Sequence, residues 1–158
     1  MGYLLSLDSI ISIVKDLKGF QKTVATTNGC FDILHIGHLN YLKQASTFAD
    51  ILIVGINTDR SVSSIKGPLR PVNSELDRAH LVAGLQCVDY AFLFDEYTPD
   101  TFLNRIKPDI HIKGGDYSID NLPEAATAKA LGIDVKFIPF TEGHSTTDMI
   151  DKIKKLNA

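Results

Sequence analysis

Apolar positions along the chain change their period repeatedly, and each change marks an element. Leu7, Ile10, Ile11, Val14 and Leu17 fall on one side of a helical repeat, with Ser6 placed to cap its start and Gly19 to end it. This pattern predicts a first helix packed on the outside of a sheet. Thr23 to Asn28 has the β-branched content of a short buried strand, and Leu39, Leu42, Ala45 and Ala49 then resume near-helical spacing, predicting a helix over about residues 38–48. Ile51-Leu52-Ile53-Val54-Gly55-Ile56 is a continuous apolar run, as expected of a strand buried on both faces. Residues 57–73 are polar and punctuated by Gly67, Pro68 and Pro71, which predicts a surface loop. Ser74 then caps a helix carrying Leu76, Ala79, Val82 and Leu85, and Tyr90 to Phe94 reads as a strand. Thr98-Pro99 opens a helix that Pro108 closes. A strand over 109–113, a helix over about 122–131, a strand over 135–138 and a last helix carrying Met149, Ile150, Ile153 and Leu156 complete the series.

Strands alternating with helices throughout predict a three-layer α/β fold: a mainly parallel sheet of about five strands with right-handed crossovers. A length of 158 residues and a 44% hydrophobic content suit one domain over 1–158. The net charge of −3 supplies no general field for nucleic acid, which turns attention to small-molecule chemistry. Cys30 and Cys87 are too few for a disulfide framework. No stretch reaches the ~20 apolar residues that span a bilayer, and Asp8 interrupts an N-terminus that lacks a basic leader. A cytoplasmic protein with neither nucleic-acid nor membrane partner is expected.

Three turns carry candidate chemistry. In Asn28-Gly29-Cys30-Phe31-Asp32-Ile33-Leu34-His35-Ile36-Gly37-His38 a strand ends in a glycine turn and a helix begins, where free amides and the positive end of the helix dipole favour an anion. His35 and His38 project from one side of the first turn with Gly37 keeping that side open, so both imidazoles can donate to phosphate oxygens. The alternative is two ordinary histidines at a helix start, but a pair framed by glycines after a strand favours function. No further cluster of Cys or His supplies a metal set. Lys66-Gly67-Pro68-Leu69-Arg70-Pro71 is either a flap that closes over a triphosphate or a solvated loop. Arg78 either reaches the phosphates or pairs with a surface carboxylate. Lys113-Gly114-Gly115-Asp116-Tyr117 is a second strand-to-glycine turn, and such turns share a crevice at the carboxyl ends of a parallel sheet. There Asp116 is either a ligand acceptor or a plain turn residue. Ser145-Thr146-Thr147 opens the last helix with three hydroxyls where one would suffice as a cap, a second anion cradle.

The His-Ile-Gly-His stretch resembles the HxGH signature of the nucleotidyltransferase superfamily, which binds nucleoside triphosphate phosphates. Class I aminoacyl-tRNA synthetases share it, but they need a longer chain and a lysine-rich second loop that this sequence lacks. Asn28-Gly29-Cys30-Phe31-Asp32, His35-Ile36-Gly37-His38, Lys66-Gly67 with Arg70-Pro71-Val72-Asn73, Lys113-Gly114-Gly115-Asp116-Tyr117 and Gly143-His144-Ser145-Thr146-Thr147, within a likeness over about residues 23–156, resemble in order and spacing the adenylyltransferase part of bacterial ADP-heptose synthase. Glycerol-3-phosphate cytidylyltransferases carry an arginine where this chain has Phe140 before Thr141-Glu142-Gly143.

The resemblance implies a Rossmann-like nucleotidyltransferase fold. It implies transfer of AMP from ATP to D-glycero-β-D-manno-heptose 1-phosphate, with release of pyrophosphate, for ADP-heptose and lipopolysaccharide synthesis. It also implies Mg²⁺ with the ATP, a separate sugar kinase upstream, and a homodimer or larger assembly. In this reading His35, His38 and Lys66 neutralise the transition state. Gly29, Cys30, Phe31, Gly37, Arg70, Gly115, Asp116, Ser145, Thr146 and Thr147 hold nucleotide and phosphates. Asp32 and Arg78 lie at the sugar phosphate, and no side chain is a predicted metal ligand. A CTP-dependent glycerol-3-phosphate enzyme and a non-catalytic nucleotide-binding module stay open as alternatives.

Overall fold

A computed structural model describes residues 2–115, 117–139 and 143–156. Its elements are β1 (Tyr3–Leu4), α1 (Leu7–Gly19), β2 (Val24–Gly29), α2 (Ile36–Ala45), β3 (Ile51–Asn57), α3 (Asp59–Lys66), α4 (Glu75–Ala83), β4 (Tyr90–Phe94), α5 (Asp100–Ile106), β5 (Ile110–Gly114), α6 (Ala125–Leu131), β6 (Asp134–Ile138) and α7 (Thr146–Leu156), with one 3₁₀ turn at Ile119–Asn121. The strands form one sheet in the order β1-β4-β3-β2-β5-β6, and every ladder is parallel. Starting from β2, the chain first adds β3 and β4 on one side and later β5 and β6 on the other. A crevice therefore opens at the carboxyl ends of the strands, where the direction of winding reverses.

Period-two alternation splits the strands between two cores. Leu52, Val54 and Ile56 of β3 pack with Leu42 and Ala45 of α2 and with Ala79 and Val82 of α4. Ile53 turns the other way, to Ile10 and Val14 of α1 and to Phe102, Leu103 and Ile106 of α5. The apolar run thus needs a hydrophobic partner on each face, which gives the three expected layers. Among the described residues no helix is long and apolar enough to cross a membrane.

Two elements differ from expectation. Residues 57–73 are not loop throughout, because Asp59–Lys66 forms α3, capped by the Thr58 side chain, which accepts from the Ser61 amide at 3.2 Å. Its inward face is only Ser61 and Val62, both buried, so polar neighbours masked the helical period. The sheet has six strands instead of about five because Tyr3 and Leu4 pair with Tyr90 and Ala91. A strand of two residues has no alternation to read; its identity comes from the edge it joins, where the Tyr3 and Tyr90 rings stack at 6.3 Å. Smaller shifts move the start of α2 back to Ile36 and that of α6 forward to Ala125.

Phe102 stands edge-on to Phe92 and Phe94 at 5.2 Å and is almost wholly buried. Phe102→Ala should cost about 3–5 kcal/mol, the range for aromatic truncation in a packed core. Urea unfolding followed by circular dichroism measures this.

Candidate active site

The cleft at the carboxyl ends of the strands has a volume of about 690 Å³. It begins where β2 ends, at Asn28 and Gly29. The chain there turns through Phe31, whose φ of +47° lies in the left-handed region that aromatic residues seldom occupy. Packing holds it: the Phe31 ring is buried, 5.3 Å from the His38 imidazole.

A buried clamp fixes this turn. The Asp32 carboxylate accepts from Arg70 Nε at 2.5 Å and from the Val72 and Asn73 amides at 2.7 and 3.2 Å. Burial by itself would raise the Asp32 pKa, but the guanidinium and the two amides hold it below the ordinary carboxylate value. Arg78 of α4 is completely enclosed. Its Nη1 donates to the Cys30 carbonyl at 2.5 Å, its Nε to the Asn73 carbonyl at 3.0 Å, and its Nη2 pairs with Asp59 at 2.7 Å.

Three of the expected site residues are engaged by the protein itself. Asp32 and Arg78, expected at the sugar phosphate, are enclosed and engaged by protein groups, Asp32 within the cleft lining and Arg78 outside it, and together they brace the turn that follows β2. Arg70, expected on the phosphates, lies outside the cleft lining with its Nε on Asp32 and its Nη2 buried without a partner.

Above the clamp, His35 and His38 stack with ring centroids 3.8 Å apart and 27° between planes. The Nδ1 of each is buried and has no hydrogen-bond partner among the described residues. Gly37 makes the stack possible, since a Cβ there would stand 3.0 Å from the His35 ring and 3.4 Å from His144 Cβ. Burial lowers the pKa of both imidazoles. His144 lowers His35 further, and His35 and Lys66 help push His38 down to about 4. The groups acting on them are thus other imidazoles and an ammonium, an arrangement that an anion relieves.

Lys66 ends α3 at the cleft, so it is presented by a helix end instead of a loop. Cys30 lines the cleft beside Asn57, its thiol pKa raised by burial. At the start of α7, Ser145 Oγ caps the helix by accepting from the Asp148 amide at 3.0 Å, and the buried Thr146 hydroxyl lies 3.5 Å from the Ile33 carbonyl. Thr147 is exposed, and all three residues line the cleft. Gly115, with φ +110°, is buried outside the lining and serves the turn by donating its amide to Ile138 at 3.0 Å. Asp116 lies outside the described residues.

Sequence reasoning assigned no role to a buried polar chain along one wall. Thr26 Oγ1 meets His111 Nδ1 at 2.9 Å, His111 Nε2 meets Glu124 Oε1 at 3.3 Å, and Lys113 Nζ lies 2.7 Å from that same oxygen and 3.3 Å from Asn28 Oδ1. A histidine between Ile110 and Ile112 in an apolar strand was the available signal, because a buried imidazole needs a polar partner. The starts of α2 and α7 also open on this cleft together with Lys66 and Lys113, an arrangement suited to a polyanion.

These features have a family. The profile of the cytidylyltransferase-like family matches residues 26–152, and the chain belongs to that family of nucleotidyltransferases. More particularly, it is 47% identical over 151 residues to the bifunctional protein HldE of Pseudomonas entomophila, an alignment that takes in 96% of this chain and 32% of the relative. It is 43% identical over 149 residues to the bifunctional protein HldE of Geotalea uraniireducens, covering 94% of this chain and 30% of the relative. The chain thus spans about a third of the length of these curated relatives. A crystal structure of the lipopolysaccharide core biosynthesis protein from Thermoplasma volcanium superposes with a TM-score of 0.63 at 32% identity, covering 78% of this chain and 99% of that one.

Two outcomes follow from the clamp and the histidine pair. Arg78→Ala leaves buried carbonyls unpaired at about 1–3 kcal/mol each, so urea unfolding should show a loss of about 3 kcal/mol or more. Between the ordinary imidazole value near 6.5 and about 4, the unfolded chain binds a proton that folded His38 excludes. The stability from this exclusion is present above that window and lost as pH falls through it. The Tm should therefore drop across the window, less in His38→Asn, and tripolyphosphate should flatten the drop by favouring the protonated ring. Equal slopes for both proteins would contradict this.

Proposed function

We propose that the cleft transfers AMP from ATP to D-glycero-β-D-manno-heptose 1-phosphate, releasing pyrophosphate. The observation that carries this reading is the stacked His35–His38 pair at the start of α2, gathered in one cleft with Lys66 and the α7 start. The choice of sugar is supported by the motif resemblance, by the HldE relatives, and by the likeness to a lipopolysaccharide core biosynthesis protein. Because the chain corresponds to about a third of proteins named bifunctional, one of their activities is assigned to it.

In this reaction an oxygen of the sugar phosphate attacks the α-phosphorus in line. The bond to the bridging oxygen of pyrophosphate breaks, and that oxygen carries the electron pair away. The nucleophile is already ionised, so no general base and no covalent enzyme intermediate are needed. Catalysis reduces to alignment and charge neutralisation. His35 and His38 donate to oxygens that gain charge, Lys66 meets the phosphates from the end of α3, and the amides at the α7 start take the far end. Mg²⁺ enters with the triphosphate. Among the described residues no group of three or more His, Cys, Asp or Glu forms a protein metal site, so no step is assigned to the ion. The sugar 1-phosphate must come from a kinase-class reaction, and the setting is the cytoplasm, where ATP is made available. A homodimer or larger assembly, built on a single domain, is part of the same proposal.

Pyrophosphate release with Mg²⁺, crossing ATP and CTP against heptose 1-phosphate and glycerol 3-phosphate, tests the reading. Release should require ATP and the heptose phosphate, and His38→Ala should lower kcat by about 10²–10³-fold, the loss typical of one preorganised donor. Release with CTP and glycerol 3-phosphate would replace both substrates, and ATP binding without release would leave a binding module.

A further inference from the structure

Lys113 lies on β5, which flanks β2 on the side away from β3, whereas Lys66 ends the helix that follows β3. The two ammonium groups therefore stand on either side of the histidine turn that follows β2, and both line the cleft. Lysine side chains are mobile, yet this one is held. Two of the three donor positions of Lys113 Nζ are occupied, by Glu124 Oε1 at 2.7 Å and Asn28 Oδ1 at 3.3 Å, and the Tyr117 ring centroid lies 5.7 Å from it.

The holding partner has been built in at a cost. Glu124 is almost wholly buried and its Oε2 has no partner among the described residues, which is expensive for a carboxylate. Burial would keep it protonated, but the His111 hydrogen bond and the Lys113 charge pull its pKa down to about 2, so it is ionised. Burial keeps His111 neutral, which makes it a donor to Glu124 through Nε2 and leaves Nδ1 to accept from Thr26. The pair is also oriented. Both residues border the cleft, but the Glu124 side chain is 1% exposed and that of Lys113 14%, so the positive end of the dipole is the more exposed one. A pair whose anion is sealed and whose cation reaches the cleft favours an incoming anion.

We propose that Lys113 is a second phosphate-binding cation of the cleft, opposite Lys66, and that Glu124, held by His111, is its positioning residue. The phosphate belongs either to the nucleoside triphosphate or to the sugar 1-phosphate, and separate titrations of the two substrates distinguish them. The kinetic part rests on the proposed transfer reaction, whereas the binding part does not.

The test is a double-mutant cycle with Lys113→Met, Glu124→Gln and the double variant, read as kcat/KM for each substrate and as calorimetric affinity for ATP and for heptose 1-phosphate. Lys113→Met should lower kcat/KM about 10²-fold and weaken the affinity for one of the two phosphate ligands about tenfold or more, while Lys113→Arg retains most of both. Glu124→Gln should cost about tenfold in the wild-type background and less than twofold in Lys113→Met, since it acts through the ammonium. If Lys113→Met does not fold, Lys113→Gln, which keeps a donor without the charge, takes its place. Affinities for both ligands within twofold of wild type, or effects of the two substitutions that multiply independently, would overturn the inference. Should the wild type bind ATP and yet release no pyrophosphate, the reaction reading fails, and the affinities alone still decide for or against Lys113.

Discussion

The pairing of β2 with a parallel neighbour on each side is the constraint from which the rest of the structure follows. Parallel ladders cannot be closed by hairpins, so every strand must be followed by a crossover that returns the chain to the starting edge of the sheet. All carboxyl ends consequently lie together. Because the chain winds from β2 toward β3 and later toward β5, the connections leaving that edge diverge around β2 and leave a crevice there. The histidine turn follows β2, Lys66 ends the helix after β3, Lys113 lies on β5, and α7 begins after β6. Four stretches far apart in sequence reach one cleft because a single strand has two parallel partners.

The electrostatics of that cleft follow from burial and from gathering groups of one sign. Burial lowers the pKa of His35 and His38, and the neighbouring cationic groups push the same way, taking His38 down to about 4. The Nδ1 atoms of both rings are buried without partners among the described residues. At the turn that follows β2 the opposite solution holds. Asp32 and Arg78 are charged, fully enclosed and matched by protein donors and acceptors, so they rigidify the turn without competing for a ligand.

Much of this was legible in the chain. The helical stripe of Leu7, Ile10, Val14 and Leu17, the apolar run of β3 and the two glycine turns mark their elements because burial on one or both faces imposes a period. His35, Gly37, His38, Lys66 and the Ser145-Thr146-Thr147 turn are legible for a related reason: strand ends followed by helix starts gather backbone donors, and the side chains there line the cleft. What stayed hidden depends on tertiary partners. The strand at Tyr3–Leu4 exists only through the edge of β4, and α3 buries little more than Ser61 and Val62. Arg70 and Arg78 carry the charge expected of a phosphate site, and it is their partners, Asp32 for Arg70 and the Cys30 and Asn73 carbonyls with Asp59 for Arg78, that hold them inward. Lys113 and Glu124 are far enough apart in sequence, across a 3₁₀ turn, that no spacing rule joins them.

The central claim is that a triphosphate lies across the histidine turn with its charge met by groups at the start of α2, the end of α3 and the start of α7. A crystal structure of the protein with Mg²⁺ and a non-hydrolysable ATP analogue tests it most directly. The account predicts phosphate oxygens within hydrogen-bonding distance, about 2.7–3.2 Å, of ring nitrogens of His35 and His38 and of the α7 amides, with Lys66 closing on them. A nucleotide whose phosphates lie away from the histidine pair, or bind at another face of the sheet, would contradict it.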